Sequence, residues 1–129
     1  MLNIEGLHHI AIICADYERS KSFYTQVLGF KIDREVYRKE RLSYKLDLSL
    51  NGQYLIELFS FPDSPARLTM PEARGLRHIA FGVRNIEKEI INLAGKQVLT
   101  EPVRIDEWTG KKYTFFFDPD GLPIELYEL

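Results

Sequence analysis

Apolar and polar positions along the chain follow two rhythms, and each rhythm occurs twice. From Ser20 onward, Phe23, Tyr24, Val27 and Leu28 fall at the i+3, i+4, i+7 and i+8 positions of a helix with one apolar stripe. Asp16 ahead of the stripe is a residue that caps helix starts, and Gly29 behind it is one that stops helices, so the pattern predicts a helix over about 17–28. Ile86, Ile90, Leu93 and Ala94 repeat the arrangement between Asn85 and Gly95, predicting a second, shorter helix over about 86–94. The other rhythm has period two. Leu42, Tyr44, Leu46, Leu48 and Leu50 alternate with Ser43, Lys45, Asp47 and Ser49, as in a strand with one buried face. Asn51-Gly52 then reads as a two-residue hairpin turn into a strand over 53–60. Further strands are predicted over 97–105, 111–117 and 122–128, with Asp118-Pro119-Asp120-Gly121 as the turn before the last.

The two sets of elements are copies. HIAIICAD at 9–16 returns as HIAFGVRN at 78–85, an offset of 69, and Ile56-Glu57-Leu58-Phe59 returns as Ile124-Glu125-Leu126-Tyr127 at an offset of 68. Each half therefore runs βαβββ, an α+β organisation. Module 1 covers about 5–60 and module 2 about 76–129, joined by a linker over 61–75 that carries Pro62, Pro65 and Pro71. A half of ~60 residues buries little surface alone, so residues 1–129 are expected to form one domain built of two modules.

Composition narrows the function. Seventeen Lys plus Arg against nineteen Asp plus Glu give a net charge of -2, which lacks the basic excess for nucleic acid or a membrane surface. The longest apolar run, Ile10 to Ala15, is six residues against the ~20 of a spanning helix, and the first residues do not have a signal-peptide layout. A soluble cytoplasmic protein is expected. Cys14 is the one cysteine, so an internal disulfide and a multi-cysteine zinc site are excluded, and any metal must be held by His and carboxylates.

All three histidines stand at the starts of the two repeated strands, as His8, His9 and His78. His9 has the spacing to Asp16 that His78 has to Asn85, which makes His9 the equivalent position and turns His8 to the opposite face. The apolar neighbours Ile10 of His9, Ile79 of His78, Ile56 and Leu58 of Glu57, and Ile124 and Leu126 of Glu125 should face the helices. These four polar residues would then share the other faces, where a curved sheet would bring them together. A buried carboxylate without a partner costs several kcal/mol, so two Glu in apolar strands call for a cation. Two imidazoles and two carboxylates suit a divalent metal, with more positions than a closed tetrahedral zinc site; a mutually salt-bridged set, or a site that has lost its metal, is the alternative. Cys14 reads as a small core residue and Arg38-Lys39-Glu40-Arg41 as a solvated hairpin or an anion contact. Trp108 reads as a lid or a surface residue, and the Ser43, Lys45, Asp47, Ser49 face as a possible pocket wall.

LHHIAI at 7–12, SFYTQVLGF at 22–30, YLIELF at 54–59, RHIAFGV at 77–83 and FDPDGLPIELYE at 117–128 together resemble the vicinal oxygen chelate superfamily. That superfamily includes glyoxalase I, bleomycin-resistance proteins, fosfomycin-modifying thiol transferases, methylmalonyl-CoA epimerase and ring-cleaving dioxygenases. The resemblance implies paired βαβββ modules forming a cupped mixed sheet with one divalent ion in the cup: nickel, zinc, cobalt or manganese, with iron less favoured. The order His, Glu, His, Glu is similar to glyoxalase I and implies His9, Glu57, His78 and Glu125 as the ligands. It further implies a lyase or isomerase in which Glu125 removes a proton beside a metal-polarised carbonyl, Glu57 serves as ligand and second base, and two chains form a homodimer around a small-molecule substrate. The thiol-transferase or oxygenase chemistries of the superfamily, and a non-catalytic binding module, are the other classes. Ile13 and Phe61 stand where bacterial glyoxalase I has an Arg and an Asn, the Arg holding the glutathione carboxylate. These departures argue for a dicarbonyl, a hydroxy acid or another thiol adduct in place of the glutathione hemithioacetal.

Overall fold

A computed structural model describes residues 1–129, which divide into two compact units, 1–65 and 66–129. The first runs β1 (Ile10–Cys14), α1 (Tyr17–Ser22, continuing as a π turn over Phe23–Val27), β2 (Lys31–Arg38), β3 (Ser43–Leu50) and β4 (Gln53–Ser60). The second runs β5 (Ile79–Val83), α2 (Ile86–Gly95), β6 (Arg104–Ile105), β7 (Lys112–Phe117) and β8 (Pro123–Glu128). The sheets have the same order, β1-β4-β3-β2 and β5-β8-β7-β6. In each the first strand lies parallel to the last and the remaining pairs are antiparallel. The α+β, twice-βαβββ architecture expected from the repeat is therefore the one present.

Local chemistry explains the element ends. Asp16 accepts the Arg19 N–H at 3.1 Å and Asn85 accepts the Lys88 N–H at 2.9 Å, so both predicted caps close their helices. Both residues of the Asn51-Gly52 turn have positive φ, 53° and 78°, as a type I′ hairpin turn demands. The carboxylate of Asp118 accepts the N–H groups of Asp120 and Leu122, each at 2.9 Å, which shapes the turn into β8.

Two expectations need correction. The strand predicted over 97–105 shrinks to Arg104–Ile105. Pro102 has no N–H to donate, and the approach to β7 is made by single contacts instead: Glu101 N–H to the Phe115 carbonyl at 2.8 Å and the Thr114 hydroxyl to the Glu101 carbonyl at 2.7 Å. After α2, the left-handed residue is Gln97 (φ 62°); Gly95 is still inside the helix.

In unit 1 the core is Tyr24, Leu46, Leu48, Ile56 and Leu58 with Ile12 and Cys14; in unit 2 it is Ile86, Phe116, Ile124, Leu126 and Leu93. The alternation along β1, β4, β5 and β8 puts these apolar residues on one face of each sheet. Like β1, β2 is one of the two edge strands of its sheet. Five of its eight residues are charged, and a register shift between Ile32 and Arg34 is bridged by the Ser49 hydroxyl donating to Asp33 at 2.9 Å. On the helix side, Glu35 of β2 takes the Tyr17 hydroxyl and the Lys21 ammonium, and Tyr17 stacks on Tyr44 with ring centres 4.2 Å apart. Burial, then the bond to Glu35, pushes the Tyr17 hydroxyl well above the usual phenol range. No helix is long and apolar enough to cross a membrane.

Candidate functional site

The repeat holds at the level of strand register. Ala11 pairs with Glu57 across β1 and β4, and Ala80 pairs with Glu125 across β5 and β8. His9 and His78 each stand two residues before that Ala, so each lies on the Glu side of its sheet, away from the apolar face. The result is one His–Glu pair per unit. His9 Nε2 is 4.0 Å from Glu57 Oε1, and His78 Nε2 is 3.1 Å from Glu125 Oε2. The carboxylates are mostly buried, with side-chain exposures of 16% and 13%. The structure thus assembles the four expected residues as two pairs, and no group of three or more His, Cys, Asp or Glu side chains gathers as a metal cluster.

The surroundings of the two carboxylates differ. Asp47 lies directly across from Glu57 on β3, and the Lys45 ammonium sits 2.6 Å from Asp47 and 3.3 Å from Glu57. The Tyr54 hydroxyl is 3.2 Å from each carboxylate and donates its single proton to one of them at a time. Burial, then the charges of Asp47 and Glu57, pushes the Tyr54 hydroxyl well up. Burial pulls the Lys45 ammonium down, but the bonds to Asp47 and Glu57 outweigh it and leave its pKa raised. In unit 2 the register-equivalent positions are Tyr113 and Phe115, with Phe115 across from Glu125. The edge of the His78 ring meets Phe115 at 5.1 Å, and buried His78 Nδ1 has no hydrogen-bond partner.

Several placements depart from the sequence reading. His8 does not turn to the opposite face: its Nδ1 lies 2.7 Å from His9 Nδ1, and both rings pack on Tyr54. β1 begins only at Ile10, so strict alternation does not extend back to His8. Lys39, Glu40 and Arg41 form the exposed β2–β3 connection, as a solvated hairpin should, but Arg38 closes β2 with its guanidinium 4.8 Å from the ring centre of Phe59 and 5.7 Å from that of Phe61. Tyr54 was missed because simple alternation puts it on the face opposite Glu57. A register shift at Leu48/Ser49 makes Leu55 an extra residue in β4 and carries Tyr54 to the Glu57 side. Arg104 was missed as well; its guanidinium rests 5.1 Å from the Tyr113 ring centre and 5.4 Å from that of Phe115.

Two βαβββ units, each with a His before its first strand facing a Glu in the middle of its last, define a recognisable class. Residues 6–126 match the family model of the Glyoxalase/Bleomycin resistance protein/Dioxygenase superfamily, and the chain belongs to that superfamily. It is 62% identical to protein YwkD of Bacillus subtilis (strain 168), covering 97% of this chain and 98% of that one. It is 33% identical to a probable lactoylglutathione lyase of Vibrio cholerae (93% and 88% covered) and 30% identical to human mitochondrial methylmalonyl-CoA epimerase (96% and 74% covered). Among solved structures, a glyoxalase family protein from Enterococcus faecalis superposes with a TM-score of 0.91 at 50% identity, covering 98% of this chain and all of that one.

Proposed function

We propose that the protein is a divalent-metal-dependent lyase or isomerase of glyoxalase I type, acting on a small dicarbonyl or thiol-adduct substrate. The observation that supports this reading is the duplication of one His–Glu pair at one strand register in both units. The donors fit a metal. In both pairs it is Nε2 that faces the carboxylate, so an imidazole nitrogen and a carboxylate oxygen stand side by side as donors, and His9 Nδ1 is engaged by His8. His9, Glu57, His78 and Glu125 are the proposed ligands, with one divalent ion per site: nickel, zinc, cobalt or manganese. Bound there, the ion would polarise a substrate carbonyl and acidify the neighbouring C–H.

The two carboxylates divide the work. Glu57 is oriented by the Tyr54 hydroxyl, which suits a ligand, while the Lys45 ammonium beside it is a cation with which a metal must compete. Glu125 has the His78 imidazole as its polar neighbour and an aromatic wall beside it, which suits a base that takes up and returns a proton. Similarity to a lyase and to an epimerase supports this level of description, since both chemistries can begin by removing a proton beside a carbonyl. A homodimer is part of the proposal and is read by light scattering on the purified protein.

The test is Glu125→Gln with methylglyoxal hemithioacetals of several thiols, following product and deuterium uptake by NMR. The variant is expected to lose turnover while keeping part of the metal measured by elemental analysis. Full activity in the variant would remove Glu125 from the base role. Failure of the native protein to take up any of the four metals would leave a small-molecule-binding module as the better reading.

A further inference from the structure

The aromatic wall beside Glu125 carries a cation that the proposed proton transfer does not use. Arg104 borders two adjoining hollows of unit 2, of about 220 and 430 Å³, and His78 borders both as well. The second is within the size range of small-ligand sites and also reaches Glu125 and Trp108. The Arg104 guanidinium lies in cation–π contact with Tyr113 and Phe115, 5.1 and 5.4 Å from their ring centres, and its Nη2 donates to Glu101 at 2.9 Å. A guanidinium has five N–H donors in a rigid fork, so an edge remains for a ligand.

The neighbouring charged groups have contacts of their own. Arg77, the neighbour of His78, is paired with Glu72 at 2.6 Å. Asp106 accepts the Trp108 N–H at 2.9 Å and the Tyr127 hydroxyl at 3.0 Å, and Glu125 faces His78. Arg104 is itself ion-paired with Glu101 through Nη2, but its remaining N–H donors border the hollow that Glu125 also lines, which leaves it placed to donate to a carboxylate next to the reacting group. Trp108, 89% exposed at the mouth of the larger hollow, is positioned by the bonds to Asp106.

We infer that this cleft is a carboxylate-binding subsite, in which the fork of Arg104 holds a carboxylate of the substrate while the carbon to be deprotonated lies toward Glu125. The placement of that carbon rests on the reading proposed above; the anion site does not. The substrate class becomes a small carbonyl compound bearing a carboxylate, and Arg104 becomes its specificity determinant.

The chain has one tryptophan, so intrinsic fluorescence reads the mouth of the cleft directly. The probe is succinate, with succinamide as its neutral counterpart, titrated into native protein both loaded with zinc and stripped by chelator. Succinate is expected to change Trp108 emission saturably in both forms, succinamide to leave it unchanged, and Arg104→Gln to weaken succinate binding about tenfold or more. Arg104→Lys, which keeps the charge and loses the fork, should recover only part of the affinity. Circular dichroism and zinc content should stay native in both variants. An equal response to succinamide, native affinity in folded Arg104→Gln, or no saturable response in either form would overturn the subsite. Succinate binding that requires zinc and ignores Arg104 also overturns it while leaving the metal reading intact. Binding through Arg104 in a protein that takes up no metal preserves the subsite and defeats the metal reading.

Discussion

Lys45 already occupies a cationic position beside Glu57, and this gives replacement of Lys45 by Met two effects of opposite sign. Its ammonium is 3.3 Å from Glu57, a separation worth about 1 kcal/mol in water and about 5 kcal/mol at an effective dielectric of 20. Both side chains keep some solvent contact, 26% and 16%, so screening and desolvation bring the net attraction toward ~1–2 kcal/mol. A metal that uses Glu57 must overcome that attraction and then tolerate the remaining positive charge. Lys45→Met should therefore tighten divalent-metal binding by a factor of about 5–30. The same change strips Asp47 of its 2.6 Å ion pair and leaves it with Tyr54, so the metal-free variant should lose about 1–3 kcal/mol of stability. For a chain of this size that is a fall of roughly 4–12 °C in Tm. Calorimetric titration of chelator-stripped protein with zinc or nickel measures the first effect, and thermal melts without and with metal measure the second. If the variant is less stable and also binds metal no better or more weakly, Lys45 orients Glu57 more than it competes for it, and the electrostatic reasoning is refuted.

Phe116 is fully buried in unit 2, and Phe116→Ala should cost about 3–5 kcal/mol in urea unfolding; a loss under about 1 kcal/mol would mean that its side chain is not packed as described. The Asp106 carboxyl lies below its ordinary value of 3.8, chiefly because it accepts the Trp108 N–H, with the Tyr127 hydroxyl adding to the effect. A depressed carboxyl contributes order that is complete above the unfolded value of ~3.9 and lost as pH falls through the lower folded value. Trp108 emission should accordingly change below about pH 4, and Asp106→Asn should remove that transition; an unaltered transition in the variant would assign it to another group.

Much of the site was legible because both copies obey the same local rules. A cap at Asp16 or Asn85 fixes where each helix begins, and counting back from it picks His9 over His8 as the partner of His78. The apolar neighbours of Glu57 and Glu125 fix which way those carboxylates face. What alternation could not convey were its interruptions. The extra residue in β4 carries Tyr54 to the Glu57 side, Pro102 cuts the strand ahead of β6, and His8 lies outside the strand that was used to orient it. Lys45 and Asp47 were seen as a polar face, but their contact with Glu57 depends on the β3–β4 pairing, which one strand's pattern does not encode. Arg104 is set by a third strand, and its stacking on Tyr113 and Phe115 is a cross-strand property with no local signature.

The edge strand β2 bears on how the protein behaves when concentrated. An eight-residue strand with one open side offers unpaired N–H and C=O groups to any other chain, which is how sheets extend into aggregates. Here Lys31, Asp33, Arg34, Glu35 and Arg38 put charge along that edge, and the irregularity at Ile32/Arg34, tied down by Asp33 and Ser49, breaks the flat spacing a second strand would need. Ile32, Val36 and Tyr37 are exposed in the same strand and would favour such pairing if the charges were absent. Protection of this edge against fibril-like association therefore rests on a few residues of β2 that take no part in the His–Glu pairs, and they can be changed without touching the proposed chemistry.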